Sequence, residues 1–147
     1  MDDNAEQNND QQPVISWPID PVTQQTLRRW LDQVGIGSGA STVVALADAA
    51  TVLTDSTLGD IYTLTTTQNF TMANPTNAVN GKKIIYKIKQ DGTGSRVITW
   101  GSDFRGSTDL TLPTLTTTAN YVDYVGFIYD ASVAKWNCLA KNQGFSS

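Results

Sequence analysis

The sequence predicts an all-β fold, an antiparallel β-sandwich or jelly-roll-like domain preceded by an extended N-terminal arm and one short α-helix. Short stretches rich in β-branched and aromatic residues recur from residue 43 onward, and turn residues separate them without a helical period between. Thr is abundant and charged residues make up only 16% of the chain, a composition that suits strands better than helices. These features divide the 147 residues into an arm (1–20), a helix (21–35), a Gly/Ser linker (36–42) and a β domain (43–147).

The arm is acidic and has little apolar content. It contains four Asp and one Glu without any Lys or Arg, so it carries −5, and the rest of the chain carries +1. Such a segment buries too little apolar surface to order itself, and it is typical of a disordered region unless a partner binds it. A basic protein surface is the natural partner for this charge. Nucleic acid is not expected as a partner, because the chain lacks a cationic footprint.

A short apolar cluster at the end of the arm is the expected anchor for docking. It consists of Ile15, Trp17, Pro18 and Ile19. If the chain belongs to a larger assembly, we expect this cluster to bind a neighbouring protein, with Trp17 contributing most because buried Trp dominates interface energies. The prolines in and around the cluster stiffen it and lower the entropy that docking costs.

The clearest helix signal follows the arm. Asp20 suits the N-cap, Pro21 suits the first helical position and Gly35 suits the end of the helix. An apolar stripe recurs at helical spacing, and its members are Leu27, Trp30, Leu31 and Val34. A helix of about 14 residues is marginal alone in water. We therefore expect the stripe to form an oligomer or docking contact, and the alternative is that the helix packs on its own domain.

Two stretches predict strands in detail. In KKIIYKIKQ, one face carries Ile84, Tyr86 and Ile88. The other carries Lys83, Lys87 and Lys89, so this strand should be half exposed. The Asp-Gly pair that follows supplies turn chemistry for a β-hairpin to SRVITW. YVDYVGFIYD alternates in the same way, and KWNCLA closes the fold with Cys138 as a small buried hydrophobe.

The β region resembles a module of tailed-bacteriophage virion structural proteins. The resemblance rests on ANPTNAVNGKKIIYKIKQDGTGSRVITWGSDFRG and LPTLTTTANYVDYVGFIYDASVAKWNCLAKNQGF, and it covers roughly residues 43–145. Such modules recur in tail fibres, receptor-binding tips and head-decorating proteins. The resemblance implies a β-sandwich, a homotrimer and a place in the virion.

Two functions are consistent with this resemblance. The leading hypothesis is a capsid decoration, or cement, protein on the outer surface of the phage head, which binds the major capsid protein or another virion protein and stabilises the shell. The alternative is a tail-fibre or tail-adaptor module whose β domain recognises a host-surface glycan. The rings that could stack on sugars are Tyr62, Trp100, Tyr124 and Trp136. A third hypothesis, a secreted sugar-binding domain, is disfavoured because the acidic N-terminus is unlike a signal peptide.

The sequence predicts no enzyme, no cofactor and no membrane partner. The chain contains no His, which removes Ser-His-Asp and Cys-His triads and His-ligated metal sites. A single Cys forms no intrachain disulfide and no multi-cysteine metal site. Carboxylates are expected to be solvated, at turns or on an exposed strand face, at Asp103, Asp109, Asp123 and Asp130. No apolar run approaches the roughly 20 residues of a membrane span.

Overall fold

The computed structural model describes residues 23–27, 29 and 39–147, and contacts divide the chain into two units, Met1–Ala40 and Ser41–Ser147. In the first unit, residues 23–27 and 29 are helical, and Leu27 is 42% exposed. The other predicted docking residues lie outside the described residues: Ile15, Trp17, Pro18, Ile19, Trp30, Leu31 and Val34. Their part in docking or oligomer contact stays a prediction.

The second unit, which is described throughout, consists of β-strands in two sheets, and this confirms the all-β class. In chain order the strands are β1 (Val43–Ala45), β2 (Thr51–Val52), β3 (Ile61–Thr66), β4 (Phe70–Met72), β5 (Lys83–Gln90), β6 (Ile98–Trp100), β7 (Phe104–Arg105), β8 (Val122–Asp130) and β9 (Lys135–Phe145). The six-stranded sheet has the order β1-β3-β5-β8-β9-β7, and the three-stranded sheet has the order β2-β4-β6.

Consecutive strands alternate between the two sheets from β1 to β7. Each return of the chain therefore adds a parallel neighbour, so that β1, β3 and β5 pair in parallel in one sheet and β2, β4 and β6 in the other. Parallel neighbours need a crossover connection, which is usually a helix. Here the strand in the opposite sheet serves as the crossover. Antiparallel pairing enters with β8, which pairs with β5 and with β9.

The predicted antiparallel pairing is therefore wrong for the pairs among β1 to β6, and also for β7, which pairs with β9 in parallel. The predicted hairpin after β5 is wrong as well. The expected turn chemistry is nevertheless present: Asp91 Oδ1 accepts hydrogen bonds from the Thr93 and Gly94 amides at 3.0 and 2.8 Å. Asp91 also pairs with the Arg96 guanidinium at 2.6 Å, and this hydrogen bond lowers the pKa of Asp91. The turn leads the chain across to the smaller sheet instead of back along β5.

The two sheets enclose one hydrophobic core around Tyr86. Four other rings lie with their centroids 5.9–6.2 Å from it: Tyr62, Trp100, Phe104 and Phe127. The Tyr86 hydroxyl donates to Thr54 Oγ1 at 3.0 Å, which links the larger sheet to the segment after β2, and burial raises the pKa of this phenol. Ile84, Tyr86 and Ile88 are buried as predicted.

Asp123 is also buried, against the expectation that its carboxylate is solvated. It is 2% exposed and accepts hydrogen bonds from the Thr116 amide and hydroxyl at 2.6 and 2.7 Å. The Gln143 side-chain amide and the Gly144 amide donate to it at 3.1 and 2.9 Å. The carboxylate thereby ties the segment before β8 to the end of β9. Its strand position, on the same face as Val125, was the sequence signal for burial.

Candidate functional site

The four predicted glycan-binding rings do not form one site. Tyr62 and Trp136 are 0% and 1% exposed, so the prediction is wrong for both, because a buried ring cannot stack on a sugar. Trp100 is half-buried, and its indole Nε1 donates to the Pro113 carbonyl at 2.8 Å, which fixes the ring at the border of the core. Tyr124 is half-buried and lies on the outer face of the larger sheet, where it stays a candidate.

The outer face of the six-stranded sheet carries a row of lysines. Because residues alternate along β5, its lysines point away from the core, as predicted. The strand lies between β3 and β8, and the register sets Thr63 on one side of Lys87 and Tyr124 on the other. Thr65 is the neighbour of Lys89. We name this surface the lysine face, formed by Thr63, Thr65, Lys83, Lys87, Lys89 and Tyr124.

The charge of this sheet is predominantly positive. Its strands contain six Lys or Arg and two Asp, a net charge of +4, although the whole chain carries −4. Of the two aspartates, Asp123 is buried, and Asp130 ends β8 and accepts a hydrogen bond from the Ser132 hydroxyl at 2.6 Å. In the described part of the chain, no carboxylate forms an ion pair with a lysine of the lysine face. The described residues therefore do not neutralise the positive charge of the lysine face.

A cleft opens in the lysine face where β1 ends. β1 stops at Ala45, and the Leu46 amide makes one more hydrogen bond, to the Thr63 carbonyl at 2.8 Å, before the chain leaves the sheet. The second half of β3 pairs with β5 but has no strand on its β1 side, and a cleft of about 420 Å³ results there. Its lining consists of Ala45, Leu46, Thr63, Leu64, Thr65, Lys87 and Lys89. It joins two cationic side chains to hydroxyl groups and an apolar wall, and its size lies within the roughly 300–1,000 Å³ of ligand pockets.

An aromatic pair lies on the same sheet. The Tyr124 and Phe145 rings meet edge to face, with centroids 5.5 Å apart and planes at 89°. Phe145 is 44% exposed. The Tyr124 ring offers a flat apolar surface with a polar hydroxyl at one end, and the Phe145 ring offers an apolar surface alone. Tyr124 was predicted from the sequence as a ring that could stack on sugars, but Phe145 and the lysines of β5 were not assigned to a site. The alternation of residues in KIIYKIKQ was the signal that could have assigned the lysines to this face.

The described residues offer few other groups from which a metal-binding or catalytic site could be built. They contain no group of three or more His, Cys, Asp and Glu side chains that could hold a metal ion. Cys138 is free and 8% exposed, as predicted, and burial raises the pKa of its thiol. None of the helical residues that the structure describes belongs to a helix long and apolar enough to cross a membrane. The lysine face with its cleft is therefore the candidate site, and its chemistry suits binding.

Comparison with known proteins gives one match. The model of a family described as "Putative phage tail fibre C-terminal domain" matches residues 51–132, which is more than half of the chain. The matched range contains β3, β5 and Tyr124, and so it includes every residue of the lysine face. No curated protein and no solved structure matches the chain significantly.

Proposed function

The chain belongs to the phage tail fibre C-terminal domain family, and we propose that it is a tail-fibre or tail-adaptor module whose lysine face binds a glycan on the host surface. The family makes it a structural protein of the phage virion. The same match favours the tail over the head, so the capsid decoration hypothesis has less support than its alternative. The observation that carries the glycan proposal is the open cleft in the lysine face. Its lining residues from Thr63 to Lys89 lie inside the matched range, and Ala45 and Leu46 precede it.

The cleft has the groups that a sugar ligand needs. Thr63 and Thr65 offer hydroxyls that donate and accept hydrogen bonds, and Lys87 and Lys89 offer ammonium donors. The Tyr124 ring, next to Lys87 in the register, offers a surface for stacking. These polar groups lie beside an apolar wall of Ala45, Leu46 and Leu64, and ligand sites combine the two kinds of surface.

The rest of the chain would attach the module. In this proposal the acidic arm and the helix bind another virion protein, and the module assembles as a homotrimer. The charge of the arm and the exposure of Leu27 support an attachment role. The module acts by binding and not by catalysis, which the absence of His from the sequence supports.

The tail position is testable on purified particles. After heads and tails are separated, we expect quantitative mass spectrometry to find the chain in the tail fraction, at far fewer copies than the major capsid protein, because tails carry few fibres. The major capsid protein serves as the internal control for clean separation. Recovery in the head fraction at a copy number near that of the capsid protein would contradict the tail proposal and restore the cement hypothesis.

A further inference from the structure

We propose that the lysine face selects an anionic polysaccharide, with carboxylate or phosphate groups along its chain, over a neutral one. This inference rests on the proposed function and goes beyond it by naming the chemical class of the glycan. It stands on three observations: the spacing of the lysines, the absence of carboxylate partners for them, and the cleft that two of them line.

The spacing of the lysines suits a polymer better than a small ion. Neighbouring outward positions of β5 are about 7 Å apart, and Lys87 and Lys89 occupy two such positions. The outward position between Lys83 and Lys87 is Ile85, which is 40% exposed, so these two lysines are about 14 Å apart. A row of cations of this length matches a ligand that repeats its negative charge. A single small anion would contact only one end of the row.

Among the residues that the structure describes, no carboxylate neutralises the lysines of the lysine face. Lys82, beside this strand, pairs with Asp60 at 2.8 Å, and Lys135 of β9 pairs with Asp103 at 3.3 Å. Among the described residues, no comparable partner exists for Lys87 or Lys89. Both are half-buried, so their aliphatic stems lie along the sheet and their charges are less screened than those of fully exposed side chains. Binding an anion would relieve the repulsion between them.

Two other occupants fit less well. A second copy docking through the same face would bring lysines against lysines, and like charges opposite each other are destabilising. Single-stranded nucleic acid is bound by a positively charged groove together with several aromatic side chains on which successive bases stack. The lysine face offers Tyr124, with Phe145 edge-on beside it. The threonines of the cleft suit sugar hydroxyls better than bases.

The test compares three polymers with the same backbone: neutral dextran, carboxymethyl-dextran and dextran sulfate. Fluorescence polarisation of labelled polymer measures binding to the full chain. We expect both anionic polymers to bind, neutral dextran not to bind, and added salt to weaken the complexes. The pair Lys87→Gln/Lys89→Gln should weaken anionic binding about tenfold, since it removes two contacts of the order of 0.7 kcal/mol each. Sulfate is a tetrahedral oxyanion like phosphate, so the comparison of the carboxylate and sulfate polymers distinguishes a carboxylate ligand from a phosphate-type one.

A control variant distinguishes binding at the lysine face from general attraction of the anionic polymer to positive charge on the protein. Lys135→Gln/Lys141→Gln removes the same charge from β9 of the same sheet, and it should change the affinity less than about twofold. Lys135→Gln also removes the ion pair with Asp103, and Lys141→Gln removes hydrogen bonds to Thr111. Surface contacts of this kind contribute about 0–1 kcal/mol each, so both variants should remain folded.

Five results would overturn the inference. If neutral dextran binds as tightly as the anionic polymers, charge selection is wrong while glycan binding stands. If both double variants lose affinity equally, or no polymer binds, the lysine face is not an anion site. Tighter binding of an oligothymidylate would assign the face to nucleic acid. If sedimentation finds an oligomer that Lys87→Gln/Lys89→Gln dissociates, the face is a subunit contact.

Discussion

Replacing Asp123 by Ala is expected to lower the free energy of unfolding by about 4 kcal/mol, one of the two largest losses predicted for this protein. The carboxylate accepts four hydrogen bonds while only 2% exposed. Its removal takes the acceptor away from the half-buried Thr116 amide and from the Gly144 amide, and a hydrogen bond to a charged group contributes about 1.5–3 kcal/mol. Urea unfolding, followed by far-ultraviolet circular dichroism, measures the loss as a lower midpoint at unchanged slope.

Asp130→Ala is the matched control. Asp130 lies in the same strand, but its hydrogen bonds are local, from the Ser132 amide and hydroxyl at 3.0 and 2.6 Å. Its loss should therefore cost less than about 1 kcal/mol. If Asp123→Ala costs no more than this control, the carboxylate does not hold the segment before β8 to the end of β9.

Replacing Phe127 by Ala is expected to cost about 3–5 kcal/mol. Phe127 is 1% exposed, and its ring lies 4.8 Å from Phe104 and 5.3 Å from Trp100, centroid to centroid. Truncation removes these contacts and leaves a cavity between the two sheets. Hydrogen-bonded strands close such a cavity only in part, so most of its cost remains. The same urea experiment measures this loss.

Phe145→Ala tests whether burial, and not ring chemistry, sets this cost. Phe145 is 44% exposed and makes one aromatic contact, with Tyr124. Its truncation should cost less than about 1 kcal/mol. Equal losses for the two phenylalanines would mean that the core around Tyr86 is not packed as described.

The strands were predictable because alternation is a local property. The inward and outward faces of β5 follow from Ile84, Tyr86 and Ile88 alone. The direction of pairing was not predictable, since it depends on which sheet the chain enters after each turn. The turn at Asp91 has the residues of a hairpin, yet its Arg96 contact belongs to a crossover, and no local pattern distinguishes the two.

Some features of the candidate site could be predicted from the sequence and others could not. Trp136 lies two residues before Cys138 on the same strand, so the expected burial of Cys138 already implied burial of Trp136. Tyr62 shares a strand face with Leu64 and could have been excluded in the same way. The cleft could not be foreseen, because it exists only where β1 stops at Ala45 while β3 continues.

We expect the lysine face to bind a glycan on the surface of the host. The most direct measurement is the amount of fluorescently labelled chain that binds to cells of the host bacterium, before and after periodate oxidation of the cell-surface sugars. We expect binding that oxidation abolishes and that Lys87→Gln/Lys89→Gln reduces, while Lys135→Gln/Lys141→Gln leaves it near the wild-type level. Binding that survives oxidation, or that the two double variants weaken equally, would contradict the claim.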